Sequence, residues 1–411
     1  MTQRDILRIV NKYISGQFVS EMDLLISLVR EIVDRSDFNI TGARIWRVDP
    51  TESSYVIAYQ HGALQSIPDD YTLAVAEYPV FKTLPERRTG TFHETDEVLR
   101  ASGTSLYSVT GIGSIVKRHG IKLCEYAIGF SADVFADDFV HTINVIRNAV
   151  NVRMKEIHNE KEHEIIEKDL KQAWDIQRQL LPDHARTFHD YELFGISLPD
   201  RVVGGDYFDY LQAAQFEERL GVVISDAASK GLPAAIQALF VSGAIRMGVG
   251  FDTKISSLIA RVNTLLCETF TYERFVSLCY IELTTSKNGL VMFANAGHCL
   301  PLHYRSRTKS FYELPPTGTV LGIMPDQRFG VENINMMHGD ILCLYTDGIV
   351  EAQNSKSKQF GEQRLRSIIR KHAHRPARDI ANICIEEVER FSVSSTYTDD
   401  KTIVVIKRLV S

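Results

Sequence analysis

The nine residues VVGGDYFDY, numbered 202–210, place two carboxylates among apolar and aromatic neighbours. Gly204 and Gly205 lead directly into the first of them, Asp206, and Asp209 follows three residues later. An ionised carboxylate in an apolar setting costs free energy unless it is paired, protonated or bound to a metal ion. The stretch therefore predicts a strand with an acid that is paired, protonated or bound to a metal ion. The other acids of the chain indicate which of these applies.

Further aspartates end or begin apolar runs in the second half of the chain. Asp226 ends LGVVIS, Asp347 ends DILCLYT, and Asp399 and Asp400 precede KTIVV. No lysine or arginine recurs beside all of these positions to neutralise them. Hard divalent cations such as Mg²⁺ and Mn²⁺ prefer oxygen ligands, and two such ions about 3.5–4 Å apart activate a water and stabilise a displaced oxygen. The pattern predicts a carboxylate-lined two-metal hydrolase.

Each aspartate has another interpretation when it is taken alone, because a strand-ending Asp is commonly a turn residue or a helix N-cap. Their joint occurrence favours a shared site. Gly205, Gly231 and Gly348 fit the same interpretation, since a glycine lets the backbone approach an ion closely and a backbone carbonyl can itself be a ligand.

Composition limits the other function classes. The chain has 411 residues, of which 44% are hydrophobic and 24% charged, and this length predicts two domains. A net charge of −6 argues against a broad nucleic-acid surface. The six cysteines form no C-x-x-C pair, which argues against a disulfide framework or a zinc ribbon. With neither a signal-peptide pattern nor an 18-residue apolar stretch, we expect a cytoplasmic protein that does not span a membrane.

Three regions differ in pattern. Residues 1–150 mix helical and strand patterns and predict an α+β domain with a mostly antiparallel sheet. Residues 151–185 lack glycine, are densely charged and predict a helical coiled-coil linker that forms a homodimer, with a solvated single helix as the alternative. Residues 186–411 alternate strand and helix patterns and predict a layered sandwich. The linker prediction depends on apolar positions at roughly heptad spacing: Val150, Ile157, Ile166, Leu170, Ala173 and Leu180.

Six motifs in chain order carry a family resemblance: VVGGDYFDY, ISDAASKGLPAA, FANAGHCLPLHY, LYTDGIVEA, FGEQRL and DDKTIVV. They resemble the SpoIIE-like branch of the PPM metal-dependent serine/threonine protein phosphatases. The resemblance implies an αββα sandwich, in which two sheets flanked by helices hold two Mn²⁺ or Mg²⁺ ions between carboxylates. It also implies single-step hydrolysis of phosphoserine or phosphothreonine by water that the ions activate, without a phosphoenzyme.

The resemblance assigns roles to individual residues. It implies that Asp226 bridges both ions, with the Ala227 carbonyl as a ligand beside it. Four aspartates would bind metal and act in catalysis: Asp206, Asp226, Asp347 and Asp399. Four residues would support these ligands, with Asp209 orienting them: Gly205, Asp209, Gly348 and Asp400.

Some positions near these motifs keep more than one interpretation. Ser229 stands where the family usually has glycine, which implies a less mobile or slightly shifted loop after Asp226. Arg201 and Lys230 have no assigned role, although Lys230 is a candidate for binding the phosphate. For His298, the sequence favours a buried residue that fixes a turn over a proton donor to the leaving group.

The resemblance extends to partners. The implied substrate is a phosphorylated anti-sigma-factor antagonist, a STAS-domain protein of a partner-switching pathway. Residues 1–150 resemble a GAF sensor domain by element order, and we expect either a small-molecule ligand or upstream activator there or a plain dimerisation module. One alternative function is a catalytically weak phosphatase-fold scaffold. The other is a two-metal phosphodiesterase or nuclease, which fits the net charge of −6 poorly. We expect no nucleic-acid or membrane partner.

Overall fold

The computed structural model describes residues 3–212, 217–251, 253–270, 274–393 and 399–409. It divides into two units, residues 1–166 and residues 167–411. The division falls inside the segment for which the sequence predicts a linker, and each unit has its own sheet structure and hydrophobic core.

The first unit is built on a six-stranded antiparallel sheet in the order β3-β2-β1-β6-β5-β4. This confirms the predicted α+β domain with an antiparallel sheet, while the resemblance to GAF domains stays a prediction. The strands are β1 Gly42–Val48, β2 Ser54–Gly62, β3 Thr72–Ala74, β4 Thr89–His93, β5 Leu106–Arg118 and β6 Ile121–Ser131. The helices are α1 Gln3–Ser15, α2 Glu21–Val33, α3 Val80–Arg87 and α4 Glu97–Ala101, with a short 3₁₀ turn at Ser36–Phe38.

A single helix, α5 at Phe139–Leu180, begins in the first unit and ends in the second. Two of the six heptad positions, Val150 and Ile157, are buried in the core of the first unit. They are therefore not available to a partner helix, and the seam predicted for self-pairing is shorter than the sequence pattern indicates. Ile166, which is 55% exposed, lies beyond that core, and pairing through this part of α5 stays a prediction.

The second unit contains two antiparallel sheets, one in the order β15-β12-β11-β10-β9 and the other in the order β14-β13-β16-β17-β8-β7. The strands are β7 Ala185–Phe188, β8 Tyr191–Leu198, β9 Tyr207–Leu211, β10 Arg219–Ala227, β11 Val276–Thr284, β12 Leu290–Ala296, β13 Leu302–Arg305, β14 Ser310–Glu313, β15 Glu332–Asn335, β16 Ile341–Tyr345 and β17 Lys401–Arg408. The helices are α6 Leu232–Val249, α7 Ile255–Thr269, α8 Asp347–Val350, α9 Glu362–His372 and α10 Ala377–Ser392.

The side-chain period of two along each strand divides the apolar residues between layers. In β10, Ile224 packs in the core between the sheets, where it meets Leu344 of β16. Its neighbour Val223 points the other way and packs with α6 and α7. On the far side of the second sheet, Cys343 packs with α9 and α10. The result is the predicted αββα sandwich, which confirms the fold class.

Helix α6 is long and apolar enough to cross a bilayer by length and composition, with a mean hydropathy of 1.4 over its 18 residues. In the structure, its buried side chains, among them Ala234, Val241 and Ile245, pack against the first sheet of the sandwich. This packing accounts for the apolar face of α6.

Candidate active site

The four predicted ligands lie at matching ends of adjacent strands. Asp206 precedes β9 and Asp226 lies near the end of β10, and these antiparallel strands pair Tyr207 with Ser225. Both acids therefore belong to one edge of the first sheet.

The second sheet repeats this arrangement. Asp347 follows β16, Asp399 precedes β17, and these strands pair Tyr345 with Ile403. Antiparallel pairing thus brings together Asp347 and Asp399, which are 52 residues apart in the chain.

Hydrogen bonds join the two edges. The Thr346 hydroxyl donates to Asp206 Oδ2 at 2.8 Å, which connects the end of β16 to the start of β9. Asp400 accepts backbone N–H bonds from Asp200 at 2.7 Å and from Gly205 at 2.5 Å. The carboxylate of Asp400 therefore fastens the segment that carries Asp206 to the start of β17.

The acids perturb one another electrostatically. Burial, followed by the charges of Asp226 and Asp400, raises the pKa of Asp206 well above its usual value. Burial, then Asp347 and Asp399, raises the pKa of Asp226 to about 8. The pKa of Asp347 is raised by burial and then by Asp399. The described acids therefore repel one another, and in the absence of cations this repulsion favours their protonated forms.

This donor set fits two divalent cations. Carboxylates are the oxygen ligands that Mg²⁺ and Mn²⁺ prefer, and added positive charge relieves the repulsion described above. Within the described ranges, no three acidic, histidine or cysteine side chains already form a closed ligand group. The residues that would hold the ions are Asp206, Asp226, Asp347 and Asp399, and Mg²⁺ in proteins usually keeps several waters beside such carboxylates.

The raised pKa values predict that the metal-free protein loses stability as the pH rises. The folded state keeps protons on these acids up to about pH 8 for Asp226, whereas an unfolded Asp releases its proton near pH 4. The folded state binds more protons in this window, so the free energy of unfolding falls with rising pH. Thermal unfolding in a chelator should have a lower midpoint at about pH 8 than at about pH 5, and Mn²⁺ should reverse the loss. An unchanged or higher midpoint at the higher pH would contradict the charge assignment.

Lys230 is a cation that the structure places beside these acids. Its Nζ lies 3.0 Å from Asp399 Oδ2, and its charge lowers the pKa of Asp226 and of Asp347. Arg201 is close as well, since a Cβ on Gly231, the residue after Lys230, would lie 3.8 Å from its guanidinium. Lys230 differs in that it has a described ion pair with one of the acids.

Two glycines make room for the site. A Cβ on Gly348 would lie 1.9 Å from the carbonyl oxygen of Asp400, a distance that no side chain tolerates. A Cβ on Gly205 would lie 2.8 Å from the side chain of Ala234. Gly348 therefore permits the close approach of α8 to the segment 399–400, and Gly205 permits that of the acidic loop to α6.

The turn after Asp226 is tight. The Ala227 carbonyl, which the resemblance implies as a ligand, accepts the backbone N–H of Ser229 at 2.6 Å. Ser229 lies outside the left-handed region, so a side chain at this position causes no backbone strain. Its hydroxyl accepts a bond from Gln237 of α6 at 3.0 Å. The serine at this position is thus accommodated, and its side chain ties the turn to α6.

Asp209 differs from the prediction that it orients the ligands. It shares a face of β9 with Tyr207, and that face packs against α6. Its carboxylate accepts bonds from Arg246 Nε at 2.6 Å and from the Tyr207 hydroxyl at 2.5 Å. Arg246 also donates to the Leu180 carbonyl at 2.6 Å, at the last turn of α5. Asp209 therefore fixes the end of α5, and its described contacts do not reach the other acids.

Sequence reasoning missed Gln177 of α5. Its amide pairs with the peptide of Gly204 in both directions, with Nε2 donating to the carbonyl at 2.7 Å and Oε1 accepting the N–H at 3.2 Å. Gln177 is 9% exposed, so these bonds are shielded from water. A glutamine in a charged helix gives no distinguishing signal, because its partner lies 27 residues away.

His298 is buried, and its bonds fix a turn. Its backbone N–H donates to Asn295 Oδ1 at 2.8 Å, and its Nδ1 lies 2.8 Å from the Ser277 hydroxyl. Burial lowers its pKa to about 4, so the ring is neutral at pH 7. These contacts agree with the predicted structural role.

Comparison with known proteins identifies the second unit. Residues 217–409 match the model of the family described as Stage II sporulation protein E, SpoIIE. This part of the chain is a SpoIIE-type, metal-dependent phosphatase domain. The match includes Asp226, Asp347 and Asp399, and Asp206 precedes it.

Individual relatives of the SpoIIE-type domain agree with this. The chain is 23% identical over 246 residues to the phosphoserine phosphatase RsbU of Bacillus subtilis, across 60% of this chain and 71% of that protein. It is 22% identical over 302 residues to the protein IcfG of Synechocystis sp., across 67% of this chain but only 46% of IcfG. The SiaA-PP2C domain of Pseudomonas aeruginosa has the same fold, with a TM-score of 0.53 and 19% identity over 60% of this chain and 98% of that one.

Proposed function

We propose that the protein hydrolyses phosphoserine or phosphothreonine in a protein substrate, with two Mn²⁺ or Mg²⁺ ions. The observation that carries the proposal is the meeting of Asp206, Asp226, Asp347 and Asp399 at the adjoining edges of two sheets. Two bound ions supply Lewis acidity and an activated water for displacement at phosphorus. Intact acids at all four positions favour an enzyme over a phosphatase-fold scaffold.

The chain's own residues do the positioning. Asp226 and Asp347 are half-buried and lie at the ends of paired strands, where they would hold the cations toward which a phosphate is drawn. Lys230 supplies a positive group at the rim, where its side chain is 46% exposed and forms an ion pair with Asp399. His298, neutral and enclosed, holds the loop after β12 and donates no proton to the leaving group.

The proposal is tested by measuring which substrates the protein hydrolyses in Mn²⁺ and in a chelator. A phosphoserine peptide and p-nitrophenyl phosphate should both release phosphate in Mn²⁺, and neither should do so in a chelator. Bis-p-nitrophenyl phosphate serves as the diester control, and faster cleavage of the diester than of either monoester would favour a phosphodiesterase or nuclease instead. Absence of turnover on all three substrates in Mn²⁺ would favour the scaffold.

Replacement of Lys230 separates metal binding from substrate binding. In Lys230→Met the competing cation beside Asp399 is gone, so the Mn²⁺ concentration for half-maximal activity should fall about two- to fivefold, the size expected for a partly exposed ion pair. The KM for the phosphopeptide should rise, since a cation that meets the phosphate is lost. Titrations of Mn²⁺ and of peptide measure the two effects. A Lys230→Arg variant, which keeps the charge, should show a smaller change in both; equal effects in the two variants would contradict a role for the charge.

Regulation through α5 is part of the proposal. This helix begins in the first unit, and at its far end Gln177 holds the peptide of Gly204, two residues before Asp206. A change in the packing of α5 would therefore move an acid of the site. The N-terminal unit is the expected sensor, and the exposed part of α5 around Ile166 is the expected pairing surface of a homodimer.

Gln177→Ala tests this connection. The variant leaves the buried Gly204 N–H and C=O without partners, which costs about 1–3 kcal/mol in the conformation seen here. We expect kcat to fall roughly tenfold, because the loop with Asp206 leaves that conformation. Gln179→Ala is the control. Gln179 is an exposed glutamine two residues further along α5, and this variant should keep full activity. Equal activity of the two variants would contradict the role of Gln177 in positioning the loop with Asp206.

A relative and the motif resemblance support a finer proposal for the substrate. RsbU is named a phosphoserine phosphatase, and the resemblance of the motifs implies a partner-switching pathway. We therefore propose a phosphorylated STAS-domain antagonist of an anti-sigma factor as the substrate, in the cytoplasm. Incubation with a phosphoproteome, with and without Mn²⁺, identifies which phosphosites disappear.

A further inference from the structure

The second unit contains a cavity between the last turns of α5, strand β8 and helix α10. Its volume is about 650 Å³, and sites for small organic molecules have volumes of about 300–1,000 Å³. All the lining residues lie within residues 167–411, so the cavity belongs to this unit alone. It is therefore large enough for an organic ligand and not only for water.

One wall of the cavity is apolar. Phe194, Ile196 and Leu198 of β8 all line it, and because side chains alternate along a strand, these three share one face of the sheet. Trp174 and Leu181, at the end of α5, add further apolar surface. Burial of an apolar group against this wall is favoured by the hydrophobic effect.

Two arginines line the cavity from different helices, Arg178 from α5 and Arg378 from α10. The guanidinium of Arg178 lies 5.3 Å from the centroid of the Trp174 ring, and that of Arg378 lies 6.0 Å from the centroid of the Phe194 ring. Both rings are part of the wall, so both guanidinium groups lie beside the cavity. Among the described residues, no carboxylate forms an ion pair with either arginine.

Two acids also line the cavity, and they differ in their surroundings. Asp206 is 4% exposed, accepts the Thr346 hydroxyl at 2.8 Å and is one of the four acids assigned to the metal ions. Asp183 is exposed to solvent. With Asp206 bound to a cation, Asp183 alone opposes the two arginines, so the cavity has an excess of positive charge. Guanidinium groups match the geometry of a carboxylate, which such a cavity would attract.

We propose that this cavity binds an organic carboxylate with an apolar body, its negative group toward Arg178 and Arg378 and its body against β8. Gln177, whose amide holds the peptide of Gly204, also lines the cavity. The ligand would therefore lie beside the residue that connects α5 to the loop before Asp206. The inference does not depend on the phosphatase activity, because binding is measured without a phosphorylated substrate.

Calorimetric titration of the full-length protein in Mn²⁺ tests the proposal with three probes. 1-Naphthaleneacetate carries both features, 1-naphthaleneacetamide has the same body without the charge, and acetate has the charge without the body. We expect 1-naphthaleneacetate to bind at one site per chain with a dissociation constant of about 1 mM or lower. The amide and acetate should each bind at least tenfold more weakly. Binding of the amide as tight as that of the carboxylate, or no heat from 1-naphthaleneacetate up to about 10 mM, would overturn the proposal.

Variants locate the site. Arg178→Met and Arg378→Met replace exposed side chains, so both proteins should fold, and each should bind 1-naphthaleneacetate at least tenfold more weakly. Arg390→Met is the matched control, because Arg390 lies on α10 outside the cavity and is 67% exposed. It should bind as the unchanged protein does. Equal affinity of all three variants would place the anion elsewhere on the surface and overturn the proposal.

Discussion

Asp226→Asn should reduce hydrolysis of a phosphoserine peptide by about 10³-fold or more, the effect of losing several kcal/mol of transition-state stabilisation that bound ions supply. Asp226 lies at the end of β10, with its pKa raised by burial and by Asp347 and Asp399, so it is the acid most strongly surrounded by the others. An amide at this position is nearly isosteric but carries no charge to hold a cation.

Initial rates over a series of Mn²⁺ concentrations measure the effect. Asp326→Asn is the matched control: Asp326 is exposed, and its left-handed backbone, with φ of 57°, suits asparagine equally well. The control should retain full activity, and both variants should stay folded. Turnover by Asp226→Asn within tenfold of the unchanged protein would place the chemistry elsewhere.

Gly348→Ala should damage both stability and activity. The added Cβ would lie 1.9 Å from the Asp400 carbonyl oxygen, so α8 and the segment 399–400 must separate. Overpacking of this kind costs about 1–3 kcal/mol in the free energy of unfolding. Because Asp347 lies on one side of the contact and Asp399 on the other, we also expect activity to fall about 100-fold, as displacement of positioned groups by roughly 1 Å does elsewhere.

Gly243→Ala should raise the free energy of unfolding, in contrast to Gly348→Ala. Gly243 lies inside α6, where a Cβ meets nothing within 4 Å, and alanine in a helix interior is favoured by about 0.5–1 kcal/mol. Denaturant unfolding should therefore show stabilisation for this variant and destabilisation for Gly348→Ala. Equal stability of the two variants would mean that α8 does not need the close approach.

Much of the sandwich and its acids could be predicted from local sequence. Apolar runs such as LGVVIS end in aspartate, and the period of two along Val222, Val223 and Ile224 places alternate side chains in different layers. The order of the motifs, through the family resemblance, then indicated which acids lie close together. These features are local because each depends on a run of a few residues and the turn that follows it.

Other features depend on contacts that no local pattern encodes. Asp209 looked like a partner of the other acids, but its place on β9 turns it toward Arg246, 37 residues away. Gln177 contacts a glycine in another element, so nothing near it in the sequence signals its role. The heptad positions Val150 and Ile157 are buried in the core of the first unit. The sequence could not indicate this, because an apolar residue on a helix can pack in a core or against a partner helix.

Anomalous scattering from a crystal soaked with Mn²⁺ shows where the ions bind. We expect two strong peaks about 3.5–4 Å apart, surrounded by Asp206, Asp226, Asp347 and Asp399. Peaks located away from these four side chains, or no peaks at concentrations of Mn²⁺ that support turnover, would contradict the two-metal site.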